Sequence, residues 1–297
     1  MKKEIRVADE KRGIVQITIA DERWYMRQSE DPETKLPIMK EVPSVTWIAG
    51  HYPKGIAFYK WLAEKGWDES QAIKNAAGNK GSKVHLAIED IIAGKEVRID
   101  SKYKNKESGQ LEDLTVEEIE CITAFLAWKE EVEGDHILDV VASEVVVFSD
   151  KHNYAGTIDL IIRLTNRETK LSSFWLIDLK TGQSIWPEYE LQVSAYHETI
   201  TNGENTFDEL PANADLKLAI LQIGYRLNKR GYKFTTIEPQ FDMFLAAKKI
   251  WAKETEGQSP KKKDYPIVLS KGKEEPKASE PEAVAEPEPQ KKKAKGV

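Results

Sequence analysis

Apolar and polar positions along the chain change their period several times, and each change marks an element. Near the N-terminus the period is two: Ile14-Val15-Gln16-Ile17-Thr18-Ile19 alternates in part, and Arg23-Trp24-Tyr25-Met26 follows the charged break Asp21-Glu22. Residues 3–28 therefore read as two or three short strands in a meander. Beyond Pro43-Ser44-Val45-Thr46 the spacing becomes helical. Ile56, Phe58, Tyr59, Trp61 and Leu62 predict a helix over about 53–65. Ile73, Val84, Ile88, Ile91 and Ile92 predict another over about 68–94, with Gly78 and Gly81 expected to divide it. The polar stretch 100–114 reads as a mobile loop, and Thr115 with Glu118 makes a capping-box pattern opening a helix to about 133.

Three strand-length segments come next, at 137–148, 155–164 and 173–180, divided by Ser149 to Asn153 and by a charged turn near 166–170. Short turns between consecutive strands predict an antiparallel meander. Pro187 suits the first turn of a helix over 187–201, where its missing amide donor does no harm. Segments 216–225 and 231–236 add two strands, and 238–254 a last helix. Past about 257 the periodicity ends, and the remainder to 297, mostly Lys, Glu, Pro and Ala, reads as disordered. The expectation is an α/β chain in three regions: an N-terminal β-meander over 1–42, a main domain over 43–256 and a tail over 257–297. The main domain is expected to carry a mixed, mostly antiparallel central sheet flanked by helices, with its N-terminal helical section forming one wall of the cleft or an arch over it.

Composition narrows the chemistry. A chain of 297 residues that is 40% hydrophobic can build a sizeable core. A formal net charge of -6 disfavours coating of nucleic acid by bulk attraction while leaving room for a local basic groove. The single cysteine, Cys121, excludes a disulfide framework and a four-cysteine zinc or iron-sulfur site within one chain, so any metal falls to oxygen and imidazole. No run approaches the ~20 apolar residues of a membrane span, and the charged start lacks a secretory apolar region, so a soluble cytoplasmic protein without a membrane partner is expected.

Candidate chemistry concentrates in Gly156-Thr157-Ile158-Asp159, Ile177-Asp178-Leu179-Lys180 and Gln192-Val193-Ser194-Ala195-Tyr196. On a strand, residues two apart share a face, so Asp178 and Lys180 project together while Ile177 and Leu179 face the core. An antiparallel neighbour brings Asp159 towards Asp178, with Gly156 permitting a close backbone approach. Two converging carboxylates make a hard-oxygen site suited to one or two Mg²⁺ or Mn²⁺ ions. Lys180 beside it can orient or deprotonate a water or stabilise a transition state, and the sequence leaves those roles open. Ser82 and Lys83, read as lying near a helix start after Gly81, are candidates to hold a phosphate.

These residues resemble the G-x-x-D, D-x-K and Q-x-x-x-Y motifs of the RecB-like branch of the PD-(D/E)XK nucleases. Gly81-Ser82-Lys83-Val84-His85-Leu86-Ala87-Ile88-Glu89 is similar to the upstream G-[ST]-x-x-H-x-x-h-E helix of that group, and Pro43-Ser44-Val45-Thr46 to the leader of its phage exonucleases. The resemblance spans about 43–200. It implies a restriction-endonuclease-like core and metal-dependent DNA hydrolysis, exonucleolytic rather than endonucleolytic, in phage-type recombination, repair or replication. It further implies that His85, Asp159, Asp178 and the Leu179 carbonyl ligate metal, that Lys180 serves the water, and that Gln192 and Tyr196 contact DNA. Glu144 and Glu89 are auxiliary candidates, and a single-strand annealing or binding protein is a candidate partner. Two rivals share the same motifs: a structure-specific or restriction-type endonuclease, and a non-catalytic DNA-end-binding protein.

Overall fold

A computed structural model of the chain describes residues 3–19, 22–31, 33–106 and 108–256, so the expectation of a disordered tail lies outside the described residues. Four strands open the chain: β1 (Lys3–Asp9), β2 (Ile14–Ile19), β3 (Glu22–Glu30) and β4 (Pro37–Pro43). They pair antiparallel in sequence order. The meander is thus longer than the two or three strands expected over 3–28. What hid β4 is its position: an edge strand with proline at both ends and with Ile38 and Met39 exposed carries little alternation.

Ser44 then caps α1 (Val45–Ala49) by accepting a hydrogen bond from the Trp47 amide, and α2 (Ile56–Lys65) leads into α3 (Trp67–Ile92). Gly78 and Gly81 do not divide α3, which runs unbroken for 26 residues. A helix-interior glycine costs roughly 1 kcal/mol against alanine. Burial of Val84, Ala87 and Ile88 against the main sheet offsets that at about 1.5 to 3 kcal/mol for a fully buried Val or Ile. The segment expected to be a mobile loop carries a small hairpin, β5 (Lys102–Lys104) with β6 (Leu111–Asp113), pinned by the buried Tyr103. Helix α4 (Val116–Asp135) begins with the expected capping box, Thr115 and Glu118 each bonding the other's backbone amide.

The main sheet is built from β7 (His136–Ser149), β8 (Tyr154–Asn166) and β9 (Ser172–Lys180), paired antiparallel as a meander. From β9 the chain crosses through α5 (Pro187–Thr201) to β10 (Leu216–Ile223), which lies parallel to β9. The antiparallel β11 (Tyr232–Ile237) closes the order β11-β10-β9-β8-β7, and α6 (Phe241–Glu254) follows. The protein is therefore mixed α/β, with largely antiparallel sheets flanked by helices. Central strands read as nearly continuous apolar runs because both of their faces are covered. Leu176, Leu218 and Ile220 pack with α1, α5 and α6 on one face, while Ile177, Leu179, Ala219 and Leu221 pack with α3 and α4 on the other. The N-terminal sheet docks on β7 and β8 through Tyr25 and Val42 against Val146, Phe148 and Ala155, and belongs to the same compact unit as the main sheet.

Candidate metal centre

The candidate site forms where β8 and β9 stop pairing. Their last register pair at that end is Leu160 with Ile177, so the next position would set Asp159 opposite Asp178. Instead the Asp159 carboxylate takes the ladder's place, and its Oδ2 accepts the Leu179 amide at 2.7 Å. The amide remains satisfied while the strands part. On the other side of β8, Glu144 lies between the pairs Ser143–Leu160 and Val145–Ile158, opposite Asp159. Its φ of 49° is left-handed, a conformation that costs a non-glycine residue about 1 to 3 kcal/mol and tends to occur at functional sites.

His85 of α3 meets both carboxylates. Its Nδ1 lies 3.4 Å from Glu144 Oε1 and 3.5 Å from Asp159 Oδ1, while Nε2 faces the Leu179 carbonyl at 3.2 Å. A carbonyl can only accept, so Nε2 carries the proton in that contact, and Nδ1 is the nitrogen turned to the acids. Burial disfavours the imidazolium, but the charge and hydrogen bond of Asp159, joined by Glu144, outweigh it and push the His85 pKa up to about 10. Asp159 answers in the opposite sense: burial raises its pKa, yet His85, Lys180 and the Leu179 amide together hold it below the ordinary value.

On β9, Asp178 and Lys180 share a face, with the ammonium 2.5 Å from Asp178 Oδ2. Asp178 Oδ1 accepts a hydrogen bond from Gln192 Nε2 at 3.0 Å, and the same amide reaches the Tyr196 hydroxyl at 3.2 Å. Gln192 and Tyr196 are both buried, so here they position Asp178 instead of presenting themselves to solvent. Asp178 Oδ2 is buried and accepts no hydrogen bond of ordinary geometry despite the nearby ammonium. Burial above all, with the charge of Asp159, pushes the Asp178 pKa up to about 6 against the lowering effect of Lys180. The Tyr189 ring sits 4.7 Å beneath the Lys180 ammonium.

The structure brings His85, Asp159 and Glu144 together, so that one ligand atom from each lies within 4.8 Å of the others. Asp178, expected among them, stands beside this group with its carboxylate held by Gln192 and Lys180. Glu144, read from sequence only as an auxiliary, is an integral member. Glu89 is exposed one turn further along α3 and lies outside the group. Ser82 and Lys83 are corrected: they lie in the middle of α3, not at its start. Ser82 Oγ donates back to the Gly78 carbonyl. Lys83 is buried and paired at 2.9 Å with the equally buried Glu118, so it is not displayed for a phosphate. Sequence reasoning missed a second polar chain, in which Gln16 donates to the Tyr25 hydroxyl at 2.6 Å and that hydroxyl meets Thr157 Oγ1 at 3.0 Å. Period-two alternation had marked these positions merely as strand.

The donor set fits a small divalent cation. Two carboxylates and an imidazole nitrogen converge, the histidine's other nitrogen is oriented by a backbone carbonyl, and a third carboxylate, Asp178, paired with Lys180, lies alongside. No protein-family model matches the chain, and no curated protein is significantly similar to it.

Proposed function

We propose that the protein is a Mg²⁺ or Mn²⁺-dependent deoxyribonuclease with a restriction-endonuclease-like core, related to the RecB-like PD-(D/E)XK enzymes and acting as an exonuclease. The observation that carries this reading is the convergence of His85, Glu144 and Asp159 beside the Asp178–Lys180 pair on the neighbouring strand. His85, Glu144 and Asp159 would hold the ion, with Asp178 and the Leu179 carbonyl next to them. A divalent ion bound there supplies charge neutralisation on the phosphate and acidity for the attacking water. Lys180 presents a cation to the same space, fixed by Asp178 and by the Tyr189 ring. Gln192 and Tyr196 keep the Asp178 carboxylate in place. Among the described residues no helix is long and apolar enough to cross a membrane.

The test is digestion of end-labelled linear single- and double-stranded DNA with and without Mn²⁺, using wild type beside Asp159→Asn, with covalently closed circular DNA as a third substrate. The expected result is Mn²⁺-dependent loss of linear DNA that Asp159→Asn abolishes, with the circle left intact. Cutting of the circle would reassign the enzyme as an endonuclease. Absence of cleavage with Mn²⁺, or undiminished cleavage by Asp159→Asn, overturns the proposal.

A further inference from the structure

Helix α4 covers only part of the sheet face it packs on. Towards the edge strand β11 it leaves a cavity of about 600 Å³, within the range of small-molecule sites. None of its lining residues belongs to the His85 group or to the Asp178–Lys180 pair. The floor is aromatic: Trp175 of β9 and Phe234 of β11 have ring centroids 5.3 Å apart, and Trp128 of α4 stacks on Phe234 from the wall. Trp175 and Phe234 are only partly buried, so ring surface remains open to a ligand. The rim is basic. Lys229 and Arg230 line it and are exposed, and Lys217 lies 5.4 Å over the Trp175 ring, while Lys233, one position from Phe234 on β11, turns its ammonium over the Tyr225 ring instead. Opposing them is Glu131, which is bonded to Arg230 and to the Tyr232 hydroxyl. Three cations against one acid, on a chain of net charge -6, is a local excess that selects an anion.

An aromatic floor under a cationic rim complements a planar π-system carrying negative charge. We infer that this cavity is a nucleotide-binding site, separate from the metal centre, in which a nucleobase lies against Trp175 and Phe234 while its phosphate meets Lys217, Lys229 and Arg230. The same chemistry is offered by a free mononucleotide and by the end of a single strand. The inference does not depend on the nuclease reading, because it needs no metal and no hydrolysis.

The experiment is calorimetric titration of the full chain in EDTA with dAMP, deoxyadenosine, inorganic phosphate and a short oligothymidylate. Saturable dAMP binding, with deoxyadenosine and phosphate each weaker, is expected if the source is a free nucleotide. Saturable oligothymidylate binding without dAMP binding assigns the site to a strand end. In either case Trp175→Ala should weaken binding by roughly fivefold or more, as base stacking requires, and Trp175→Phe should restore most of it. Because Trp175→Ala also opens the core, the exposed Lys217→Glu/Lys229→Glu pair serves as the second probe and should weaken binding while leaving the melting temperature in place. Asp159→Asn should bind like wild type, which separates this site from the metal centre. No saturable binding of either nucleotide probe, or binding that neither the tryptophan nor the lysine variants weaken, overturns the inference.

Discussion

Gly156 shows how closely β8 and α5 are fitted, and its replacement by alanine is a test with a definite sign. Built onto the backbone, a Cβ at Gly156 would lie 2.4 Å from Tyr196 Cε1, 2.9 Å from its hydroxyl oxygen and 3.0 Å from Cζ. Carbon atoms approach to about 3.5 Å at their optimum, so the ring must retreat by roughly 1 Å. It has nowhere easy to go: Tyr196 is 2% exposed and its hydroxyl is bonded to Gln192. Overpacking costs about 1 to 3 kcal/mol and loss of a buried hydrogen bond about 0.5 to 1.5 more. Were Tyr196 not there, the same change would stabilise by about 0.4 to 1 kcal/mol through the unfolded chain. The sign of the effect therefore reports the contact. Gly156→Ala should lower the melting temperature by about 3 to 18 °C at roughly 2 to 4 °C per kcal/mol. In the Tyr196→Leu background, where the side chain is shorter, the same substitution should be close to neutral. A melting temperature that does not fall, or an equal loss in both backgrounds by urea denaturation, would refute the reasoning.

Other outcomes follow from buried charge and the thiol. Lys83→Met should destabilise by about 3 to 5 kcal/mol in urea, because it strands Glu118 without a counter-ion; the Lys83→Met/Glu118→Leu pair should recover much of this despite the lost cap, and a double variant no more stable than Lys83→Met alone would show that the stranded charge is not the cause. Burial pushes the Cys121 thiol up to about 11, so at pH 8 native protein should react with iodoacetamide roughly 100-fold more slowly than protein unfolded in urea; equal rates would contradict its burial. Asp150 joins β3 and β4 to the β7–β8 turn through Arg27 and Lys40, and burial, which raises its pKa, is outweighed by these two cations so that the net shift is downward. Its contribution is thus present above the ordinary value of 3.8 and lost as pH falls through the lower folded value. Asp150→Asn should cost about 0.5 to 1 kcal/mol at pH 7 and progressively less as pH falls below 3.8, and a difference that does not shrink with pH would refute the linkage.

Much of the fold was legible where local chemistry and tertiary packing agree. The Thr115–Glu118 box, Pro187 at the start of α5 and the three strands from β7 to β9 are cases in which turn residues, caps and apolar runs all call for the same element. Legibility failed where tertiary contacts override local preference. Gly78 and Gly81 predict a break in α3, yet Val84, Ala87 and Ile88 hold the helix across them. The 100–114 segment is polar enough to read as loop, and a single buried ring, Tyr103, is what gives it a hairpin. For the site, strand period placed Asp178 and Lys180 on one face, and pairing brought Asp159 near them. Period could not foresee that Glu144 turns left-handed and joins His85, since an acid on a β-branched strand ordinarily marks the solvent face. Nor could it separate Lys83 from a phosphate ligand, because burial of its ammonium depends on Glu118, 35 residues further along a different helix.

The site consists of two assemblies, and the bond between them determines which variant can test it. Helix α3 with β7 and β8 builds the His85–Glu144–Asp159 group; β9 with α5 builds Asp178–Lys180–Gln192–Tyr196. Asp159 belongs to the first through His85 and reaches the second by accepting the Leu179 amide at 2.7 Å. An alanine there would leave that amide unpaired in a buried setting, at about 1 to 3 kcal/mol, and would let the parted strands shift. Loss of activity in such a variant would then not distinguish loss of metal from loss of fold. Asparagine keeps an oxygen for Leu179 and exchanges the remaining carboxylate oxygen for a donor that no cation will accept. Asp159→Asn should therefore melt close to wild type while losing divalent-ion binding. A large fall in its melting temperature would mean that the negative charge of Asp159 holds the two assemblies together, and that its role in this structure is support before it is coordination.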